Sequence, residues 1–347
     1  EKPLSEVDSL ILSWLSYVNI PKEISGAHTD EGIRLQELFC AEHFDEMFAH
    51  IWDEKSCRKL FFHLASSPRF RDIVVCNYVK MKDVNIQKEF CAVTFRLTSD
   101  MSYVSFRGTE PTLLGWKEDF NMAFQSPIPS QEEARRYVNS LKNSEGRKLI
   151  LGGHSKGGNL AVYAAATVSE ELQSKIERIY SHDGPGFTEE FLNTKGYANI
   201  EDRIVRMIPQ TSIIGVLLEH KEDFVVVKSN RTGILQHDFF SWIVKDDGFE
   251  ILDEVTVGSK YAERTIKQWV SGMKPEERAL FVDEIYEILN IDEVIYVSDL
   301  KTNLFSKLYS ILQATGKTSP ETKEFLRQSV RGLVDIGIKN VPTIFKS

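Results

Sequence analysis

Cysteine is scarce in this chain. Four residues, Cys40, Cys57, Cys76 and Cys91, lie in the first third of 347 positions. They lack metal-type pair spacing and are too few for a disulfide scaffold, so reduced thiols and a cytoplasmic location are expected. Long apolar runs are missing too. The longest, Ile213 to Leu218, falls far short of the ~18 residues that a membrane-spanning helix needs. No signal-peptide pattern, internal repeat or low-complexity stretch is present, although the chain begins at Glu1 rather than Met. Positive charge is nowhere concentrated and the net charge is −9, which leaves no electrostatic case for nucleic acid as a partner.

What is present is enough apolar residue, 42%, to build one large domain with an appendage. The most informative stretch is Lys148-Leu-Ile-Leu-Gly-Gly-His-Ser-Lys-Gly-Gly-Asn-Leu-Ala161. It contains Gly153-x-Ser155-x-Gly157, the spacing of a nucleophile elbow, in which a serine occupies a sharp strand-to-helix turn. The glycines leave room where the strained turn permits no side chain. A buried strand end precedes the motif, and the run Leu160 to Ala166 after it, with its small residues, suits a helix packed closely on a sheet. The spacing matches neither a dinucleotide-binding loop nor a Walker loop.

Three regions are expected. Residues 1–70 form an N-terminal helical segment packed on the core, 71–258 an α/β core, and 259–347 a helical C-terminal region. In the first, Val7, Leu10, Ile11, Trp14, Leu15 and Val18 have helical spacing closed by Pro21. The core opens with β-branched and aromatic runs at Ile73–Val79, Phe90–Leu97 and Ser102–Phe106, the last two joined as a hairpin. Beyond the elbow, strands alternate with helices or loops, which predicts a mostly parallel sheet with its ligand site past the carboxyl ends of the strands. Ser155, Asp183, Ser212 and His237 all follow such ends. In the C-terminal region Leu300, Leu304, Leu308 and Leu312 make a stripe, and Ser319-Pro320 looks like a helix start. Packing against the main domain is the expectation, with a protein partner or a peripheral membrane contact as the alternative.

A serine hydroxyl needs a base, and the base needs a group to orient it. In the elbow arrangement the order is serine, acid, histidine. His28, His43, His50 and His63 precede Ser155, His154 adjoins it and is expected to point elsewhere, and His220 stands at a strand start. His182 comes one residue before the candidate acid. His237 is the remaining base. The usual acid position, after the strand ending near Ile208, offers Gln210, Thr211 and Ser212 but no carboxylate. Asp183, at the end of the strand beside the nucleophile strand, is the candidate, with Ser212 as an alternative neutral orienter. The backbone N–H of Lys156 and one from the Gly108-Thr109 loop would form the oxyanion hole. The Lys156 side chain is expected to point to solvent.

These motifs resemble a family. Tyr103-Val-Ser-Phe-Arg-Gly-Thr-Glu110, then Trp116-x-x-Asp119, then Gly153-His-Ser-Lys-Gly157 are similar to the class 3 (fungal-type) lipases of the α/β-hydrolase superfamily. The elements around Asn159, Asp183-Gly-Pro-Gly-Phe187 and His237-Asp-x-Phe-Ser-Trp242 are closer to a bacterial lipase-like group of unassigned function. The resemblance implies an α/β-hydrolase fold, Ser155 as nucleophile, Thr109 as oxyanion donor and His237 as base. It also implies, by analogy, a lid around Trp116 to Phe124. Class 3 lipases carry an aspartate near the position of Ser212 here. The expected activity is cleavage of a small-molecule ester or acyl lipid, with no metal or cofactor. The alternatives are a thioesterase or acyltransferase, or a non-catalytic scaffold that binds a partner through its C-terminal helices.

Overall fold

A computed structural model describes residues 3–110, 113–122, 125–141 and 146–274, with scattered positions as far as 335. The leucine stripe from Leu300 to Leu312, Ser319-Pro320, and Pro275 with most of the run after it lie outside the described residues.

Eleven strands are described: β1 (Ile33–Arg34), β2 (Val74–Asp83), β3 (Lys88–Arg96), β4 (Met101–Phe106), β5 (Lys148–His154), β6 (Ile176–His182), β7 (Ile204–Pro209), β8 (Phe224–Val227), β9 (Val244–Lys245), β10 (Gly248–Phe249) and β11 (Ile251–Leu252). All but the β9–β10 pair join one sheet, in the order β1-β2-β3-β4-β5-β6-β7-β8-β11. From β4 to β8 each neighbouring pair is parallel, while β1 to β4 and β11 add antiparallel edges. This is the sheet of an α/β-hydrolase. A turn at Thr98 to Asp100 returns β3 into β4, as the hairpin pattern predicts.

Strand side chains alternate between two faces, and each face here has its own core. Phe90 and Ala92 of β3, Val104 and Phe106 of β4, and Leu149 and Leu151 of β5 pack with the helices Pro129–Ser140 and Lys156–Thr167. Their alternates, Cys91, Val93, Phe95, Tyr103 and Ile150, pack with Leu12, Trp14, Phe48 and Phe61 from the first seventy residues. A sheet covered on both faces explains why its strands read as nearly continuous apolar runs.

The helix Glu6–Leu15 is started by Ser5, whose side chain accepts from the Asp8 N–H while Asp8 answers with a capping box. It crosses the sheet through polar contacts as well. Ser9 Oγ and Ser13 Oγ lie 2.8 and 2.9 Å from the Tyr103 hydroxyl, and Ser9 Oγ is 2.9 Å from His182 Nε2. Arg69 clamps Asp8 of this helix, so burial of the carboxylate is outweighed and its pKa is lowered. The helix Val257–Ser271 starts against the loop after β7, where Ser259 Oγ donates to the Ser212 carbonyl at 2.6 Å. Among the described residues no helix is long and apolar enough to cross a membrane.

Candidate active site

The end of β5 delivers Ser155 at φ 59° and ψ −134°. A positive φ on a serine costs of order 1–3 kcal/mol and needs surroundings that impose it. They do. A Cβ on Gly157 would stand 2.1 Å from the Phe106 carbonyl oxygen, and one on Gly153 would stand 2.3 Å from the Gly157 backbone. Both positions must be glycine for the turn to close on β4. The Ser155 N–H is taken by the His182 carbonyl at 2.9 Å, while its own carbonyl receives Gly158 N–H at 2.9 Å. The helix Lys156–Thr167 starts here, so the first-turn N–H of Lys156 has no intrahelical partner.

β6 delivers Asp183, also at positive φ, 51°. Asp183 Oδ2 lies 2.6 Å from His237 Nδ1, and Oδ1 accepts from Ser212 Oγ at 2.5 Å and from the Gly215 N–H at 3.1 Å. The aspartate side chain is 1% exposed and the histidine 25%. A buried carboxylate taking the Nδ1 proton leaves the Nε2 lone pair of the neutral ring available. Asn159, one turn into the elbow helix, secures the same loop. Its Nδ2 donates to the carbonyls of Pro185 and Gly186 at 3.2 and 2.8 Å.

His237 ends a short 3-10 turn, Gly233–His237, that is held from three sides. The Gln236 carbonyl accepts from Trp242 Nε1 at 3.0 Å, and Gln236 Oε1 accepts from the Thr211 N–H at 2.7 Å. Asp238 turns away to Arg231 at 2.5 Å. On the third side stands His154. Its Nε2 donates to the His237 carbonyl at 2.8 Å, and the two rings lie tilted by 35° with centroids 4.5 Å apart. The Tyr17 hydroxyl lies 3.2 Å from His154 Nδ1. Burial, and then the charge of His237, push the His154 pKa well below the ordinary histidine value. His154 is therefore a neutral hydrogen-bonding ring and a floor for His237. As expected it is not the base; its ring meets the backbone of the incoming loop instead.

Gly108 approaches Ser155 so closely that a Cβ on it would come within 3.1 Å of the Ser155 Cβ and 2.1 Å of the Tyr17 hydroxyl. This brings the Gly108-Thr109 loop against the elbow. Thr109 Oγ1 donates to Asp119, 2.6 Å from each carboxylate oxygen. Burial raises the Asp119 pKa to about 6, although Lys156 and the Thr109 hydroxyl pull it down.

The Lys156 side chain does not point to solvent. Its ammonium is fully buried, 2.7 Å from an equally buried Glu118 carboxylate and 3.1 Å from the Glu89 carbonyl. The expectation failed because solvent exposure is the ordinary fate of a lysine, and its partner stands 38 residues away on the helix Leu113–Asn121. Burial disfavours the ammonium, but Glu118 and Asp119 outweigh it and raise the pKa.

The structure thus joins Asp183, Ser212 and His237 by hydrogen bonds, with Ser212 on the carboxylate rather than on the ring. It brings Gly108, the residue before Thr109, against Ser155, and Lys156 follows the serine directly. Among the described residues, no hydrogen bond joins the Ser155 hydroxyl to His237. Tyr17, His154, Glu118 and Asp119 are the additional residues. Asp119 and His154 lay within the Trp116-x-x-Asp119 and Gly153-His-Ser-Lys-Gly157 elements, without their contacts being legible; Tyr17 contacts a residue 137 positions away.

The family model described as Mbeg1-like matches residues 64–287. The chain belongs to the Mbeg1-like family. With the sheet and elbow described above, this makes it a class 3 lipase-like α/β-hydrolase. No curated protein matches the sequence. Among solved structures, it is similar to a lipase–propeptide complex from Rhizomucor miehei at 16% identity, covering 55% of this chain and 66% of that one, TM-score 0.36. That match spans just under two thirds of the fungal chain. M37 lipase is 14% identical over 88% of this chain and 100% of its own, TM-score 0.36. A mutant form of MDLA from Penicillium cyclopium is 13% identical over 73% and 88%, TM-score 0.39.

Proposed function

We propose that this Mbeg1-like protein is a serine hydrolase that cleaves a carboxylic ester, lipid-like or otherwise acylated, through an acyl-enzyme on Ser155. The observation that carries the reading is the 2.6 Å contact between Asp183 Oδ2 and His237 Nδ1, on a ring that lies 4.5 Å from that of His154, the neighbour of Ser155. In the first half-reaction Ser155 Oγ attacks the ester carbonyl carbon while His237 Nε2 takes the hydroxyl proton. The backbone N–H groups of Lys156 and Thr109 stabilise the resulting oxyanion. The bond to the alcohol oxygen breaks as His237 returns the proton to it. Water then attacks the acyl-enzyme with the same histidine as base, and the freed Ser155 recovers its proton as the acid departs. Asp183 fixes the tautomer and stabilises the imidazolium, and Ser212 with Gly215 holds Asp183. The four free thiols support a cytoplasmic setting.

The test is labelling with a fluorophosphonate probe. Wild type is expected to label and Ser155→Ala is not. Absence of labelling on folded wild type would remove the hydrolase reading and leave the scaffold.

A further inference from the structure

We propose that the Lys156 side chain is a positioning residue for the oxyanion hole, acting through Glu118 on the Asp119–Thr109 contact. The inference rests on the hydrolase reading and adds to it a residue whose side chain touches no substrate.

Both oxyanion donors trace back to this one lysine. Its backbone N–H is the donor that follows the nucleophile. Its ammonium holds Glu118 at 2.7 Å, and the next residue, Asp119, holds the Thr109 hydroxyl. Glu118 also accepts from the N–H groups of Ser130 and Glu89 at 3.1 and 3.3 Å. The carboxylate therefore ties the elbow helix, β3, the helix Pro129–Ser140 and the helix Leu113–Asn121 at a single point. The last helix presses directly on the donor loop, since a Cβ on Gly115 would lie 2.7 Å from Thr109 Cγ2. The Lys156 charge is directed into this knot, between Glu118 and the Glu89 carbonyl, so its role is to set position. A buried ion pair is weak as a stabiliser compared with apolar packing of equal volume, and in some proteins its role is to fix the arrangement of the elements it joins, which is the role assigned to it here.

Because an error of 1 Å at a donor costs about 10²-fold in rate, the kinetics separate positioning from stability. Lys156→Met/Glu118→Gln removes both members of the ion pair and keeps an amide oxygen for the Ser130 and Glu89 N–H groups, so it should fold, with a melting temperature within several degrees of wild type. Its kcat on a short-chain p-nitrophenyl ester should fall about 10²-fold, with KM within about threefold. Glu118→Gln, which keeps the shape, should lose about tenfold in kcat. That loss should largely vanish when Asp119→Asn is already present, because both act on Thr109. Wild-type kcat in either folded variant, or a full Glu118→Gln loss on the Asp119→Asn background, would overturn the proposal. Inert wild type, without ester turnover or probe labelling, would overturn the hydrolase reading itself and this inference with it.

Discussion

Asp183 and Ser212 are joined by a 2.5 Å hydrogen bond in which the serine hydroxyl donates to Oδ1, on the carboxylate whose other oxygen meets His237. The resemblance places an aspartate near Ser212. On the proposed reading, the carboxylate that orients the base stands instead at the neighbouring strand end, with the Ser212 hydroxyl as its support.

Asp183→Asn follows directly. An amide at this position offers an N–H or a carbonyl oxygen to the ring but no negative charge, so the imidazolium loses its stabiliser and the tautomer is misassigned. Turnover of a p-nitrophenyl ester should fall by about 10³–10⁴-fold with little change in KM, measured by steady-state kinetics on folded protein.

Gly215→Ala acts on the same carboxylate from behind. The added methyl would stand 2.4 Å from Asp183 Oδ1 and 2.6 Å from Ile208 Cγ2, with the side chains buried around it. Overpacking of this kind costs about 1–3 kcal/mol, and the displaced carboxylate should lower kcat as well. Denaturant melts and kinetics should show both losses together.

His154→Phe keeps a flat ring under His237 but removes the donor to its carbonyl. The expected result is a loss of about 1–3 kcal/mol for the buried acceptor left unpaired, and about tenfold in kcat from a loosened base. Tyr17→Phe removes the outer contacts, 3.2 Å to His154 Nδ1 and 3.5 Å to its carbonyl, and should cost less on both counts, about 1 kcal/mol.

Asp119 gives a pH signature in stability. Its folded pKa, raised to about 6 by burial, stands above the model-peptide value of 3.8. Between those values the folded state binds more protons than the unfolded, so the contribution of this group to stability falls as pH rises through the window. Asp119→Asn removes the ionisable group and keeps an oxygen for Thr109. The variant should gain stability relative to wild type on going from pH 4 to pH 7.5, by about 1–3 kcal/mol, as read by urea denaturation at the two pH values. A constant difference across that range would show that Asp119 does not titrate there.

Much of the fold was legible because it is written in short-range terms. The nearly continuous apolar runs of β3, β4 and β5 identify strands with two buried faces, and the glycines around Ser155 specify a turn only glycines can close. The strand–helix alternation after Ser155 predicts the parallel half of the sheet, and Asp183, Ser212 and His237 fall at successive strand ends by counting alone. Strand ends came within a few residues of the observed ones, since backbone hydrogen bonding past the apolar run, as in β2 to Asp83, leaves little trace in hydrophobicity.

By itself, then, the sequence determined the elbow, the sheet and the set of side chains at its carboxyl edge, because local backbone geometry and burial are encoded within a few residues of each position. Tertiary structure alone decided that Ser212 supports the acid, that His154 and Tyr17 underpin His237, and that Lys156 turns inward to Glu118. Each of these is a contact between side chains 29 to 137 positions apart. Their pairing depends on how neighbouring elements pack, and no pattern along the chain carries that information.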